Sequence, residues 1–155
     1  VLAGAMVKGI QSQGVAATVK HFALNNKETD RKHSDSRVSE RAAREIYLKA
    51  FEYVIKGAKP WAVMSSYNII NGCYASENKE LLEDILRDEW GFDGMVTTDW
   101  WTLGEHYKEV KAGNDMKMAC GDPKRLKEAM DQGLLTRQDL EHCAERVLNL
   151  ILKLD

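Results

Sequence analysis

Short apolar runs and longer amphipathic runs take turns along this chain, and no other feature constrains its fold as tightly. Val15 to Val19, Trp61 to Ser66 and Met95 to Thr98 are brief, apolar and rich in β-branched or aromatic residues, which reads as buried strands. Around them lie segments with apolar residues at helical spacing. Leu2, Met6 and Ile10 form a stripe within Val1 to Ser12, and Gly14 is a stop signal. Ser39 is expected to cap a helix to Ile55, with Ala43, Ile46, Tyr47, Ala50, Phe51 and Val54 inward and Gly57 at its end. Ser76 is expected to cap a third helix that turns Leu81, Leu82, Ile85, Leu86 and Trp90 inward and ends at Gly91.

The pattern continues beyond the third strand. Leu103 to Lys111 reads as a weaker helix and Asp115 to Met118 as a fourth strand. Asp122-Pro123 opens a helix with proline at its first position, and Gly133 closes it. Thr136 and Asp139 have capping-box spacing and begin a last helix, with Leu140, Ala144, Val147, Leu148 and Ile151 inward. The order is α-β-α-β-α-β-α-β-α-α. Strict alternation predicts an α/β fold of parallel β/α repeats with right-handed crossovers. Four strands make about half of an eight-stranded TIM-type barrel. A half-barrel exposes strand edges and an apolar face, so self-association or missing companion segments are expected to complete it. Asn25 to Val38 has no periodicity and reads as a long functional loop.

Composition narrows the function. The 155 residues can hold one domain, residues 1-155, and the formal charge of -2 gives no footing for nucleic acid or an anionic membrane. No apolar run approaches the ~18 residues of a membrane span. Val1 to Lys8 lacks the basic start of a signal peptide and has no initiator Met, as expected for the interior of a longer chain or a processed product. Cys73, Cys120 and Cys143 are too dispersed for a zinc or disulfide pattern. Free thiols point towards a reducing, cytoplasmic compartment.

Polar chemistry gathers at the strand ends. The first three strands finish in Lys20-His21, Tyr67-Asn68 and Asp99-Trp100. Parallel strands share one carboxyl-terminal rim, where α/β folds place their sites. Three successive polar tips are hard to explain by packing, because buried polar groups need partners. A carboxylate beside indole rings suits a sugar, whose C–H face stacks on the rings while the carboxylate attacks or binds. Simpler roles are also open. Asp99 reads equally as a helix cap, His21 as a satisfied core residue and Lys20 as an ion-pair partner of Asp99. Arg31 lies in a charge run with Glu28 and Asp30, and Met64 fits a core. A nucleotide-binding reading has no Gly-x-Gly-x-x-Gly or phosphate loop to support it.

Several of these segments resemble glycoside hydrolase family 3. Lys20 to Arg31 is similar to its Lys-His-Phe loop, and Arg37 to Leu48 to the helix that follows. Met64-Ser65-Ser66-Tyr67-Asn68 with Asn71-Gly72 resembles its Met-x-Ser-Tyr-Asn-x-x-Asn-Gly segment. Trp90 to Trp100 resembles the segment holding the nucleophile, and Ala112 to Met118 the next strand. The resemblance implies a retaining glycosidase of the β-glucosidase/β-xylosidase branch, with Asp99 as nucleophile. Lys20, His21, Arg31 and Tyr67 would grip sugar hydroxyls or orient Asp99, while Met64 and Trp100 would line the subsite. The substrate would be a small glycoside or an oligosaccharide, and no metal or cofactor is implied. The branch takes its acid/base Glu from a later domain and further sugar-binding residues from earlier barrel strands, and no residue here matches either. Thr98 stands where the family has Ser, and Met118-Ala119-Cys120-Gly121 replaces its Met-Pro-Gly. The isolated chain is therefore expected to be inactive or weakly active. The alternative is a non-catalytic carbohydrate-binding or structural domain that keeps the rim.

Overall fold

A computed structural model describes all 155 residues. After α1 (Leu2–Gln11) the chain enters β1 (Thr18–Phe22), which lies parallel to β3 (Ala62–Ser65), itself parallel to β6 (Met95–Thr98). The register pairs Thr18 with Ala62, Val63 with Val96 and Ser65 with Thr98. Helices between the strands cover one face, as parallel crossovers require. The fold is thus α/β, a parallel sheet with helices that forms part of a TIM-type barrel and does not close.

The main core lies between that face and the helices. Phe22, Val63 and Val96 are fully buried with Leu82 and Leu86. Phe22 meets the rings of Phe51 and Trp90 edge-on, with centroids 5.1 and 5.8 Å apart. Such rings bury large apolar areas and add edge-to-face attraction. The helices that supply these residues are α2 (residues 40–58) and α3 (Glu80–Glu89). Both contain i→i+5 hydrogen bonds, such as Leu48 N–H to Ala43 O at 2.8 Å and Trp90 N–H to Ile85 O at 3.1 Å. Wider turns of this kind shift which side chains face inward.

The carboxyl-terminal part packs α4 (His106–Lys111), α5 (Pro123–Asp131) and α6 (Arg137–Leu154) around Val110, Ala129, Leu135 and Cys143. The expected caps form. Asp122 Oδ1 accepts from Lys124 and Arg125 N–H, and Thr136 and Asp139 close a capping box. Asp115, its side chain buried, ties this part to the sheet. Its Oδ2 accepts from Val96 N–H at 2.7 Å and Arg87 at 2.8 Å, and its Oδ1 from Arg146 at 3.2 Å.

Several expectations are corrected. The fourth strand is a single bridge between Thr97 and Met116, because Asp115 and Met116 N–H both turn onto Val96 O. Residues 25–38 are not structureless. Asp35–Ser36 forms β2, which pairs with β4 (Ile69–Ile70), and β4 pairs antiparallel with β5 (Cys73–Tyr74). The turn joining β4 to β5 has positive φ at both Asn71 and Gly72, the geometry of a tight hairpin. Ser76 is no cap, since its hydroxyl donates to Glu109, while Asn78 Oδ1 accepts from Leu81 N–H. Gly57 stays helical, and α2 ends on Lys59 in the left-handed region. Ile46, Leu148 and Ile151, expected inward, are exposed because nothing within these 155 residues covers their helix faces.

Candidate active site

The site begins as a continuation of the sheet. Asp99 directly follows β6, and its N–H donates to Ser65 O at 3.2 Å, extending the β3–β6 ladder by one rung. The Asp99 side chain is only 8% exposed. Its Oδ1 accepts from Trp100 N–H at 2.7 Å, and its Oδ2 lies 3.5 Å from His21 Nε2 on β1. One oxygen is thus anchored by backbone and the other faces an imidazole, which fixes the carboxylate plane.

Tyr67, two residues past β3, stands beside Asp99. Its hydroxyl donates to Trp100 O at 2.6 Å. Burial, and then the neighbouring Asp99 carboxylate, push the phenol up from its ordinary value, so it stays a protonated donor. Arg31 reaches the site through this ring, its guanidinium 4.6 Å from the centroid, while it pairs with Glu28 at 3.1 Å. Cations favour the negative face of an aromatic ring. Asn71 holds the long loop in place by exchanging two 2.9 Å hydrogen bonds with the Val38 backbone.

Trp100 and Trp101 stand at the mouth, 45% and 58% exposed, with ring centroids 5.7 Å apart. Trp101 has φ of 53°, a left-handed conformation that costs a residue with a Cβ on the order of 1–3 kcal/mol unless neighbours hold it. Met64 is half-buried on β3, opposite Thr97. Thr97 precedes Asp99 by two positions, so strand alternation places Met64 and Asp99 on one face.

The rim therefore gathers Asp99, His21, Tyr67, Arg31 and Trp100. Lys20 does not join them by contact. It is exposed on β1 and forms no ion pair, and Arg31 forms none with Asp99; the cation-capable group nearest that carboxylate is His21. Strand β1 changes register between Val19 and Phe22, which breaks the alternation that would decide between Lys20 and His21.

Two lysines reach the site without any local sequence signal. Lys32 Nζ donates to Trp101 O at 3.0 Å and lies 5.0 Å from the Tyr67 ring centre. Lys117 Nζ donates to Thr102 Oγ1 and Gly104 O, each at 3.0 Å, and to Glu109. Both sit in stretches whose charges resemble solvated surface, and only the fold turns them onto residues 101–104. A cleft of about 310 Å³ between α2 and α3 contains none of these site residues. No three His, Cys, Asp or Glu side chains converge closely enough to hold a metal ion, and no helix is long and apolar enough to cross a membrane.

Comparison with known proteins gives a consistent picture. The model of the glycosyl hydrolase family 3 N terminal domain matches residues 1–150. Beta-glucosidase A of Butyrivibrio fibrisolvens is 63% identical over 139 residues, which are 90% of this chain and 17% of that protein. An exo-alpha-(1->6)-L-arabinopyranosidase of Bifidobacterium longum is 44% identical over 96% of this chain and 20% of its own length. Among solved structures, beta-glucosidase 3B from Thermotoga neapolitana in complex with glucose superposes with a TM-score of 0.93 at 44% identity. That match covers 97% of this chain and 22% of the other. The chain thus spans about a fifth of the length of the proteins it matches.

Proposed function

Because the chain belongs to glycosyl hydrolase family 3, as part of its N-terminal domain, we propose that the full protein hydrolyses terminal β-D-glycosidic bonds with retention, Asp99 serving as nucleophile. The observation that carries this reading is the Asp99 carboxylate itself, locked to the sheet through its own N–H and faced by His21 at 3.5 Å. In the first step a lone pair of Asp99 bonds to the anomeric carbon as the carbon–oxygen bond to the leaving group breaks. A second carboxyl, about 5–5.5 Å away in such enzymes, protonates the departing oxygen. In the second step that group takes a proton from water as the water oxygen bonds to the anomeric carbon and the ester bond to Asp99 breaks, which releases the sugar and restores the Asp99 carboxylate.

Tyr67 and His21 orient the attacking carboxylate. Lys20, Arg31 and His21 offer donors to ring hydroxyls, and Met64 and Trp100 supply apolar walls. Residues 1-155 are then part of a barrel domain whose remaining strands, and the acid/base carboxyl, come from other parts of the protein. The open sheet and the exposed Leu2, Met6, Ile46 and Leu152 support this, since such faces need cover. The separated segment would self-associate or recruit those parts, and without the proton donor it would lose about 10²–10⁴-fold in rate.

The test uses 2-deoxy-2-fluoro-β-glucosyl fluoride on the full-length protein. Fluorine at C2 slows both steps, while fluoride leaves readily, so a glycosyl–enzyme ester accumulates. Mass spectrometry should find the added sugar on the peptide bearing Asp99, and Asp99→Ala should abolish turnover of aryl glucosides. Turnover by Asp99→Ala at a near wild-type rate overturns the assignment. Sugar binding with no hydrolysis by the intact protein favours a carbohydrate-binding domain instead.

A further inference from the structure

The segment from Asp99 to Gly104 carries the attacking carboxylate at one end and both exposed indoles beside it. Its far end is pinned from below, where Lys117, nearly buried, donates to Thr102 Oγ1 and Gly104 O. Its near end belongs to the sheet. Between these fixed ends the carbonyls of the two tryptophans are each taken by a side chain from a different loop. Tyr67 OH donates to Trp100 O at 2.6 Å, and Lys32 Nζ donates to Trp101 O at 3.0 Å. Trp101 N–H reaches Met118 O at 3.3 Å, so the left-handed Trp101 is held by one bond on each side of its α-carbon.

We propose that Lys32 is a positioning residue. It fixes the tilt of the Trp101 indole, and through it selects substrates with a ring on the leaving-group side of the scissile bond. This rests on the reading of Asp99 as nucleophile. Lys32 suits the role because it is half-buried, touching the Tyr67 ring face and the Trp101 carbonyl without touching Asp99. Lys117, by contrast, is committed to a buried carboxylate. Removing the Lys32 ammonium frees Trp101 to leave its left-handed conformation, and its indole then loses its set angle, while Tyr67 still holds Trp100. The group that would feel this is a pyranose or aryl ring stacked on the Trp101 indole, not the sugar bonded to Asp99 and walled by Trp100.

The experiment compares two substrates of the full-length protein with the same sugar on the Asp99 side. Cellobiose has a ring as leaving group, and β-glucosyl fluoride has none. Lys32→Met should raise KM for cellobiose about ten-fold, while kcat/KM for the fluoride and the labelling rate with its 2-fluoro analogue stay within about two-fold. Lys32→Arg, which keeps a donor, should restore the cellobiose value. Acrylamide quenching of tryptophan emission should rise in Lys32→Met and return in Lys32→Arg. An equal loss on both substrates places Lys32 in the sugar site and overturns the proposal, as does no change on either. If wild-type protein is labelled elsewhere than Asp99, the nucleophile reading fails. The quenching comparison still decides whether Lys32 holds the Trp101 indole.

Discussion

Replacing Lys117 by Met tests the buried support beneath the active-site segment. The Lys117 and Glu109 side chains are 6% and 1% exposed. The other Glu109 oxygen accepts from Ser76 Oγ at 2.8 Å, and a Cβ on Gly104 would stand 2.6 Å from it, so the site has no room for water. Lys117→Met leaves the Glu109 charge without its cation. Breaking a buried pair in this way costs about 3–5 kcal/mol, well above the 0–1 kcal/mol of an exposed pair. With a urea m-value of ~2 kcal/mol/M, the midpoint of the barrel-domain transition should fall by about 1.5–2.5 M. Adding Glu109→Gln removes the stranded charge while keeping an acceptor for Ser76. The double variant should recover at least ~1 kcal/mol relative to Lys117→Met, a coupling measurable by a double-mutant cycle. The reasoning fails if Lys117→Met costs less than ~1 kcal/mol. It also fails if the double variant loses the sum of both singles.

Two further outcomes follow from buried titratable groups. Burial, and then the charge of Lys117, hold His106 below its ordinary value, while its Nδ1 accepts from Asp122 N–H at 3.2 Å. The unfolded chain therefore binds this proton first as pH falls. Stability should drop from about pH 6.5 down to the folded-state value, and His106→Asn should flatten that slope in urea titrations; an unchanged slope would remove His106 as its source. Burial above all, with Asp115 nearby, pushes the Cys143 thiol up to about 12. Iodoacetamide at pH 8 should leave Cys143 unmodified until urea unfolds the domain, as peptide mass spectrometry would show; rapid native-state alkylation would contradict its burial.

The second and third parallel strands are legible because each is short, apolar and framed by helical spacing, whereas β1 is Thr18–Phe22, shifted three residues past the expected Val15 to Val19, so that Lys20 and His21 lie within it rather than after it. The caps at Asp122 and Thr136 were equally plain, since capping depends on neighbours within three residues. What escaped notice depends on distant partners. Asp35–Ser36, Ile69–Ile70 and Cys73–Tyr74 are two residues each, too short to show a period of two. Ser76 has the chemistry of a cap, but Glu109, thirty-three residues away, takes its hydroxyl. The rim itself was readable from the strand tips, and Asp99, His21 and Tyr67 do meet there. That His21 rather than Lys20 faces Asp99 follows from an irregularity in β1 that no alternation rule predicts. Lys32 and Lys117 looked like solvated charges because nothing local announces a carbonyl sixty-nine residues away or a buried carboxylate.

The bond from Asp99 N–H to Ser65 O makes the proposed attacking group the last rung of the β3–β6 ladder. Its location is inherited from the hydrogen-bonded sheet and not from a loop. Warming can loosen the outer loops and blunt selectivity while the reactive oxygen keeps its place. Turnover of an undemanding substrate then serves as a gauge of sheet integrity, fading only when the strands themselves part.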